Sequence, residues 1–222
     1  MNIKIDRVIR SKRKSIALVV TPEANLVIRA PMKVSLDYIN ELVGKNLRWI
    51  DRKIQEVKSK PRILAKNFID GEKFLYLGKP YPLRITDGRK LPFSFENEFV
   101  MDRIYQSIAR KLFIDWYKKE AKKVISKRVR LYSKLTSLKY KKIRITNANS
   151  RWGSCSAKSN LNFTWRLIMA PLLVIDYVVI HELVHLEHRN HSCRFWQKVK
   201  TILPDYETSK KWLKHNRYLL KI

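Results

Sequence analysis

The first 30 residues alternate between apolar and polar positions in three short runs. Alternation with a period of two is typical of half-buried strands, and Thr21 to Asn25 carry the turn residues between the second and third runs. We therefore predict a small antiparallel β-meander that ends at Pro31. Its apolar positions are Ile3 and Ile5, then Ile16, Leu18 and Val20, then Leu26 and Ile28.

Two longer segments have a helical period. Apolar residues recur every three or four positions from Ser35 to Lys58, which predicts one amphipathic helix. A second amphipathic helix of about thirty residues, the longest in the chain, is predicted after residue 100. Its apolar stripe comprises Ile104, Ile108, Leu112, Trp116, Val124, Val129 and Tyr132. Between the two helices, Lys73–Leu77 and Tyr81–Ile85 are predicted to pair as a hairpin.

Short strands return after the second helix. Lys141–Asn147 and Asn160–Trp165 have the alternation of strands, and Ser150–Ser156 reads as a tight turn between them. A glycine within such a pattern, here Gly153, indicates that another part of the protein packs closely against the backbone. Two short helices are predicted near the C-terminus, Ser192–Thr201 and one capped by Asp205, with Trp196 and Trp212 in the core around the site.

The segment from Val174 to about Arg189 predicts a helix that is apolar on all sides, and such helices lie in protein cores. It contains His181-Glu182-Leu183-Val184-His185, an H-E-x-x-H sequence. Histidines four residues apart project from one face of a helix and can bind one ion together. In this arrangement two imidazoles hold Zn²⁺ and the glutamate serves as general base. We predict those roles for His181, His185 and Glu182.

A third metal ligand is needed, and the sequence offers several. His191 stands where the metzincin pattern has its last histidine, but the glycine position of that pattern is His188 and no methionine follows Met169, so a metzincin is not indicated. If Asn190 ends the helix and Ser192 caps the next, His191 lies in the turn and faces the metal. We predict His191 as the ligand. The other candidates are Glu187, His188, Glu207 and His215.

Composition adds a strong charge. The formal net charge is +29 at pH 7, and Asp102–Arg144 contains fifteen lysines and arginines against three acidic residues. Such a surface attracts nucleic acid or another polyanion. No apolar run reaches the length of about 18 residues that a membrane span needs, so no membrane partner is expected. Two cysteines, Cys155 and Cys193, predict reduced thiols and a cytoplasmic protein rather than a disulfide framework.

The chain also resembles a known family. The segments that carry the resemblance are Arg151–Cys155, Leu161–Leu167, Asp176–His185, Asn190–Ser192 with Phe195 and Trp196, and the N-terminal Arg29–Pro31, Trp49–Ile50 and Tyr76–Gly78. They are similar to the YgjP-like metallopeptidases, which are related to the SprT and WLM zincin-like proteins. The resemblance implies a zincin-like catalytic half in which His181, His185 and His191 hold Zn²⁺ and Glu182 is the base.

We therefore expect an α+β fold: a zincin-like half with a buried H-E-x-x-H helix and a small antiparallel sheet, preceded by the β-meander and helix. The expected regions are residues 1–100, which are β-rich with one helix, and residues 101–222, the metallohydrolase domain. The two could also form one continuous domain.

The expected activity is that of a zinc metallopeptidase, with a peptide or protein as substrate. Arg151, Trp152 and Arg166 are the predicted substrate-binding residues, and an edge strand at Arg151–Ser154 or Asn160–Trp165 would bind an extended peptide. One alternative is a nucleoside-triphosphate pyrophosphatase or other phosphoanhydride hydrolase with a nucleotide substrate. Another is a nucleic-acid-binding module with a structural zinc, although such a module has no use for Glu182.

Overall fold

A computed structural model describes residues 4–21, 23–59 and 65–222. The chain divides into two compact units, Met1–Ile63 and Leu64–Ile222, and its mixture of helices and small sheets gives an α+β fold. The boundary expected between residues 100 and 101 falls inside strand β7 (Phe99–Asp102). The strands before it belong to the second unit because their aromatic side chains are buried in that unit's core.

The N-terminal unit contains strands β1 (Arg7–Ser11), β2 (Ala17–Val20) and β3 (Leu26–Pro31). The sheet order is β1-β3-β2, in which β1 runs parallel to β3 and β2 antiparallel to it. The predicted meander is therefore wrong: β2 and β3 coincide with the second and third predicted runs, but β1 begins after Ile5, which is not in a strand. Alternation indicates which face a residue occupies, but it is compatible with either pairing direction. Ile3 and Pro22, which belonged to that prediction, lie outside the described residues.

Two helices, α1 (Leu36–Lys45) and α2 (Leu47–Lys58), replace the single helix predicted over this segment. Asn46 separates them, with φ −111° and ψ 12°, and its side-chain amide donates to a backbone carbonyl one turn earlier (2.7 Å). Asparagine competes for backbone groups in this way, and so it ends helices readily. The buried core of this unit consists of Leu26, Ile28, Ala30, Ile39, Val43 and Ile50.

The second unit begins with a four-stranded sheet of order β4-β5-β7-β6. Its other strands are β4 (Lys73–Tyr76), β5 (Lys79–Thr86) and β6 (Phe93–Phe95). β4 and β5 pair antiparallel, which confirms the predicted hairpin. Phe74 and Phe99 from this sheet pack against Phe113, with ring centroids 4.1 and 4.9 Å away.

Phe113 belongs to helix α3 (Ala109–Thr136), whose 28 residues make it the longest helix among those described, as predicted. Its core-facing line differs from the predicted stripe: Ile104 and Ile108 lie in a preceding 3-10 helix (Arg103–Ile108) and are exposed. The buried line contains two alanines and a tyrosine, which are only weakly hydrophobic. The sequence pattern therefore did not reveal this line, and the predicted stripe was placed on other residues. The buried positions are Ala109, Phe113, Tyr117, Ala121, Ile125 and Val129.

A second, three-stranded sheet comprises β8 (Lys142–Thr146), β9 (Gly153–Cys155) and β10 (Asn160–Thr164). Its order is β8-β10-β9, so β10 is the central strand, parallel to β8 and antiparallel to β9. The sheet is mixed, not antiparallel as predicted. Because both sides of β10 are paired, Asn160–Trp165 has no free edge for a peptide, whereas β9 is an edge strand.

The remaining helices are α4 (Leu172–Val184), α5 (Cys193–Ile202) and α6 (Tyr206–Asn216). Helix α4 packs against α3, α5, α6 and β9, and almost all of its residues are buried. It ends at Val184, several residues before the predicted end. Within the described part of the chain, no helix is both long and apolar enough to span a membrane.

One ion pair joins α4 to α3 inside the core. Asp176, 2% exposed, accepts two hydrogen bonds from the Arg128 guanidinium, of which the Nη2–Oδ2 bond measures 2.6 Å. Arg128 Nη2 also donates to the hydroxyl of Tyr132 (3.2 Å). A buried carboxylate without its cation is strongly destabilising, so this pair holds α4 in a defined position on α3.

Replacing Arg128 by Met should lower the free energy of unfolding of the second unit by about 3–5 kcal/mol, because Asp176 would remain buried without a partner. Denaturant unfolding followed by circular dichroism measures the change. Lys127→Met, at the neighbouring exposed residue, is the control and should change stability by less than about 0.5 kcal/mol. Equal stability of the two variants would contradict the assigned role of the ion pair.

Candidate metal centre

Three histidines come together at the end of α4. His181 lies in its last turn, His185 occupies the C-cap position, and His191 lies in the turn before α5. The Nε2 atoms of His181 and His191 are 3.0 Å apart, and one nitrogen from each of the three rings lies within 4.8 Å of the others. Among the described residues this is the group of potential ligands with the spacing of a metal site.

The early end of α4 brings His191 back toward the helix. Leu186 donates to the carbonyl of Leu183 (2.9 Å) and His188 to that of Val184 (2.9 Å), so the chain turns directly after His185. The side chain of His185 uses the same turn, since its Nδ1 lies 2.9 Å from the backbone carbonyl of His188. A carbonyl only accepts, and so Nδ1 carries the proton and Nε2 keeps a free lone pair.

The other predicted ligand candidates do not join the cluster of described residues. Glu187 pairs with Lys198 (3.2 Å) and with the ring of His188 (3.3 Å). Glu207 and His215 are exposed on α6. His188 instead contributes its backbone carbonyl to His185.

Aromatic rings support the three imidazoles. The centroid of Phe195, a fully buried residue of α5, lies 4.9, 4.6 and 4.8 Å from those of His181, His185 and His191 respectively. Trp196 stacks on His191 at 5.6 Å and 22°. These contacts restrict the rotation of the imidazoles. They agree with the prediction that Trp196 packs around the site.

Glu182 lies beside the cluster and is 5% exposed. Its side chain packs against the backbone of Gly153, the first residue of β9. A Cβ atom added to Gly153 would lie 2.6 Å from both Cγ and Oε1 of Glu182. The close neighbour predicted for this glycine is therefore the glutamate of the motif. The other carboxylate oxygen, Oε2, is buried with no hydrogen-bond partner among the described residues.

Burial dominates the electrostatics of the site. It raises the pKa of Glu182 to about 8, and the nearby charge of Arg151 opposes the shift only in part. Burial also lowers the pKa of His181 to about 3, with smaller contributions from His185 and His191. At neutral pH the imidazole of His181 is therefore uncharged and has a lone pair to donate. A cation held by the imidazoles would lower the pKa of Glu182 and favour its ionised form.

The residues present fit a divalent metal ion. Zn–N distances of 2.0–2.1 Å in a tetrahedral site put ligand nitrogens about 3.3 Å apart, and the spacings here, from 3.0 Å up to 4.8 Å, bracket that value. His185 has the backbone carbonyl that orients metal-bound histidines. His181 lacks such a partner, since its Nδ1 is buried and unpaired within the described residues.

The predicted substrate-binding residues differ in their placement. Arg151 and Trp152 directly precede β9 and line a cleft of about 200 Å³, and the charge of Arg151 acts on Glu182. Arg166 lies 4.4 Å from the ring of Trp165 and donates to the carbonyl of Asn147 (3.2 Å). Its described contacts are with this scaffold and not with the histidine cluster.

Three residues near the cluster were not predicted from the sequence to be part of the site. Tyr177, one turn before His181, stacks on Tyr206 (6.2 Å, 20°), which stacks on Trp196 (5.4 Å, 19°). Lys210 lies with its Nζ 4.0 Å from the centre of the Trp196 ring. The sequence could have indicated Tyr177, because it is four residues before His181 and therefore on the same helix face. It could not have indicated Tyr206 or Lys210, since only tertiary packing brings α6 to the site.

A cluster of three histidines beside a buried glutamate is the arrangement expected of metal-dependent hydrolases. Comparison with known families agrees with this class: residues 14–216 match the family described as YgjP-like, metallopeptidase domain, and the chain belongs to that family. The match covers 203 of the 222 residues, and it implies a metal ion and peptide substrates. No curated protein matches the sequence.

The contact between Gly153 and Glu182 gives a direct prediction. Gly153→Ala should destabilise the second unit by about 1–3 kcal/mol, because a methyl group would overlap the Glu182 side chain and force it to move. Gly44→Ala is the control. No atom lies within 4 Å of the added methyl group there, and alanine in a helix should stabilise the N-terminal unit by about 0.5–1 kcal/mol. Denaturant unfolding measures both, and an unchanged Gly153→Ala variant would contradict the close packing.

Proposed function

We propose that this protein is a zinc-dependent metallopeptidase in which His181, His185 and His191 hold the ion and Glu182 is the general base. The observation that carries the proposal is the convergence of three imidazole nitrogens within 4.8 Å beside a buried carboxylate. Neutral imidazoles are good zinc ligands, and three of them leave a fourth position for water. The same cluster and helix support a zincin-like assignment for the second unit.

Zn²⁺ bound by the three histidines would lower the pKa of a coordinated water toward about 7 and polarise the scissile carbonyl. Glu182 accepts a proton from the attacking water and donates it to the leaving amine. Its unpaired Oε2 is available for that exchange, while Gly153 leaves the space in which the side chain lies. Phe195 and the carbonyl of His188 keep the imidazoles in place during these steps.

The substrate is proposed to bind as an extended strand along β9. This strand pairs with β10 on one side and, among the described residues, with no other strand. Its first residue, Gly153, touches Glu182, so a peptide hydrogen-bonded to the free edge would run past the general base. Strand addition of this kind uses backbone hydrogen bonds for affinity and side-chain pockets for selectivity. Arg151–Ser154 is thus the preferred candidate of the two predicted segments.

The family favours a peptide substrate over the two alternatives. A module with a structural zinc would not need a buried carboxylate beside the ligands, and the choice between a peptide and a nucleotide is tested below. Binding of nucleic acid by the basic surface stays a prediction from net charge. Each alternative gives a different outcome in the two experiments below.

The first experiment measures metal in the purified protein. Wild-type protein should contain about one zinc ion per chain, whereas His181→Ala and His191→Ala should lose most of it, since each removes one of three ligands. His215→Ala, at an exposed histidine of α6 outside the cluster, is the matched control and should retain the metal. Retention of zinc in His181→Ala, or its loss in His215→Ala, would contradict the proposed ligand set.

The second experiment separates the base from the ligands. Glu182→Gln should keep the metal and the fold but lower peptidase kcat by a factor of at least about 100, because an amide does not accept the proton. Unfolded protein, short peptides and nucleoside triphosphates are tested as substrates in parallel. Peptidase activity unaffected by the substitution would exclude the mechanism, and activity confined to nucleoside triphosphates would favour the phosphoanhydride hydrolase.

A further inference from the structure

Three cations near β9 or the histidine cluster lack a carboxylate partner among the described residues. Arg151, Arg189 and Lys210 form no ion pair with any described Asp or Glu. The chain has 48 lysines and arginines against 19 acidic residues, so most of its cations have no acidic partner; Lys45 and Arg84 are among those that do. The absence of such partners around the site leaves its positive charge available to a ligand.

Two of these cations flank β9, the strand proposed to bind the substrate. Arg151 lies two residues before Gly153, the residue that packs against Glu182. Arg189, from the turn after α4, donates to the carbonyl of Ser156 (2.9 Å), directly after the other end of the strand. A carbonyl fixes the guanidinium in position but does not neutralise it, so both ends of β9 carry full positive charge.

Lys210 lies on another side of the cluster, on α6. Its Nζ is held 4.0 Å from the centre of the Trp196 ring, and that ring stacks on His191. A cation–π contact orients an ammonium group but leaves its charge uncompensated.

Two carboxylates, one in α4 and one in the turn after it, are occupied or buried, whereas Glu207, three residues before Lys210 on α6, is exposed. Glu187, in the same turn as Arg189, is paired with Lys198 at 3.2 Å. Glu182 is buried against Gly153. Beside β9 and the histidines these three cations therefore supply positive charge even without a metal ion, and such charge concentrates ligands of the opposite sign.

From this arrangement we infer that the site selects acidic peptides, with Asp or Glu side chains on both sides of the scissile bond. Arg151 and Arg189 would bind the acidic residues that run along β9, and Lys210 those on the α6 side of the histidines. The inference rests on the proposed peptidase function and names its substrate class. In this reading the three cations are specificity-determining residues and take no part in bond cleavage.

The test compares fluorogenic peptides of one length, with blocked termini, whose flanking residues are acidic, neutral or basic. Wild-type enzyme should cleave the acidic peptide with a kcat/KM about tenfold above that for the neutral one. The difference should lie mainly in KM and disappear at about 0.5 M salt. Lys210→Gln and Arg151→Gln should each reduce this preference about two- to fivefold, through a higher KM for the acidic peptide.

Lys119→Gln is the matched control, because Lys119 is an exposed lysine of α3 without an ion pair among the described residues, and it should keep the full preference. Equal cleavage of the three peptides, or an equal effect of all three substitutions, would overturn the inference. The inference would also be overturned if the only variants that lose the preference are those whose circular dichroism spectra show misfolding.

Binding separates this inference from the proposed function. Fluorescence anisotropy with Glu182→Gln measures the affinity for the same peptides without cleavage. If no peptide is hydrolysed but the acidic one binds in a Lys210-dependent way, the peptidase proposal fails and the selectivity stands. If the peptides bind equally and a nucleic-acid oligonucleotide binds through Arg151 and Lys210, the cations serve nucleic acid and the inference fails.

Discussion

The site depends on the burial of α4 from Val174 onward. A helix in that position has no water to satisfy its polar groups, so each one must find a partner in the protein or in a ligand. Asp176 is matched by Arg128 and His185 by the carbonyl of His188. Oε2 of Glu182 and Nδ1 of His181 find none among the described residues. The unmatched atoms lie where the proposed chemistry takes place.

The packing of neighbouring elements against α4 fixes the positions of Glu182 and the three imidazoles. β9 approaches α4 so closely that only glycine fits opposite Glu182. α5 provides Phe195 against all three imidazoles, and α6 adds the stack of Tyr206 on Trp196. Because these contacts come from separate parts of the second unit, the three histidines come together only when that unit is folded. Its precision therefore depends on the core and on the Arg128–Asp176 pair.

Electrostatics divides the site into two zones. Inside, desolvation keeps His181 neutral and raises the pKa of Glu182. The proposed ligand therefore has a free lone pair, and the proposed base needs a nearby cation to favour its ionised form. Outside, Arg151, Arg189 and Lys210 present uncompensated positive charge. A positive rim around a cation-binding centre is unfavourable by itself. Anionic substrate groups would relieve that repulsion. The strong net charge of the chain would then contribute to substrate selectivity at the histidine cluster.

The sequence by itself determined the local features: the H-E-x-x-H segment on an all-apolar helix, the long helix α3, the β4–β5 hairpin and the close approach at Gly153. These features depend on hydrophobic periodicity, on secondary-structure propensity and on sequence motifs, all of which are properties of short segments. Tertiary structure alone decided that β1 runs parallel to β3, that β10 is central, that α4 stops at Val184, and that Lys210 lies beside His191. Strand pairing and contacts between distant segments are set by the summed burial of the whole core, and no single segment encodes them.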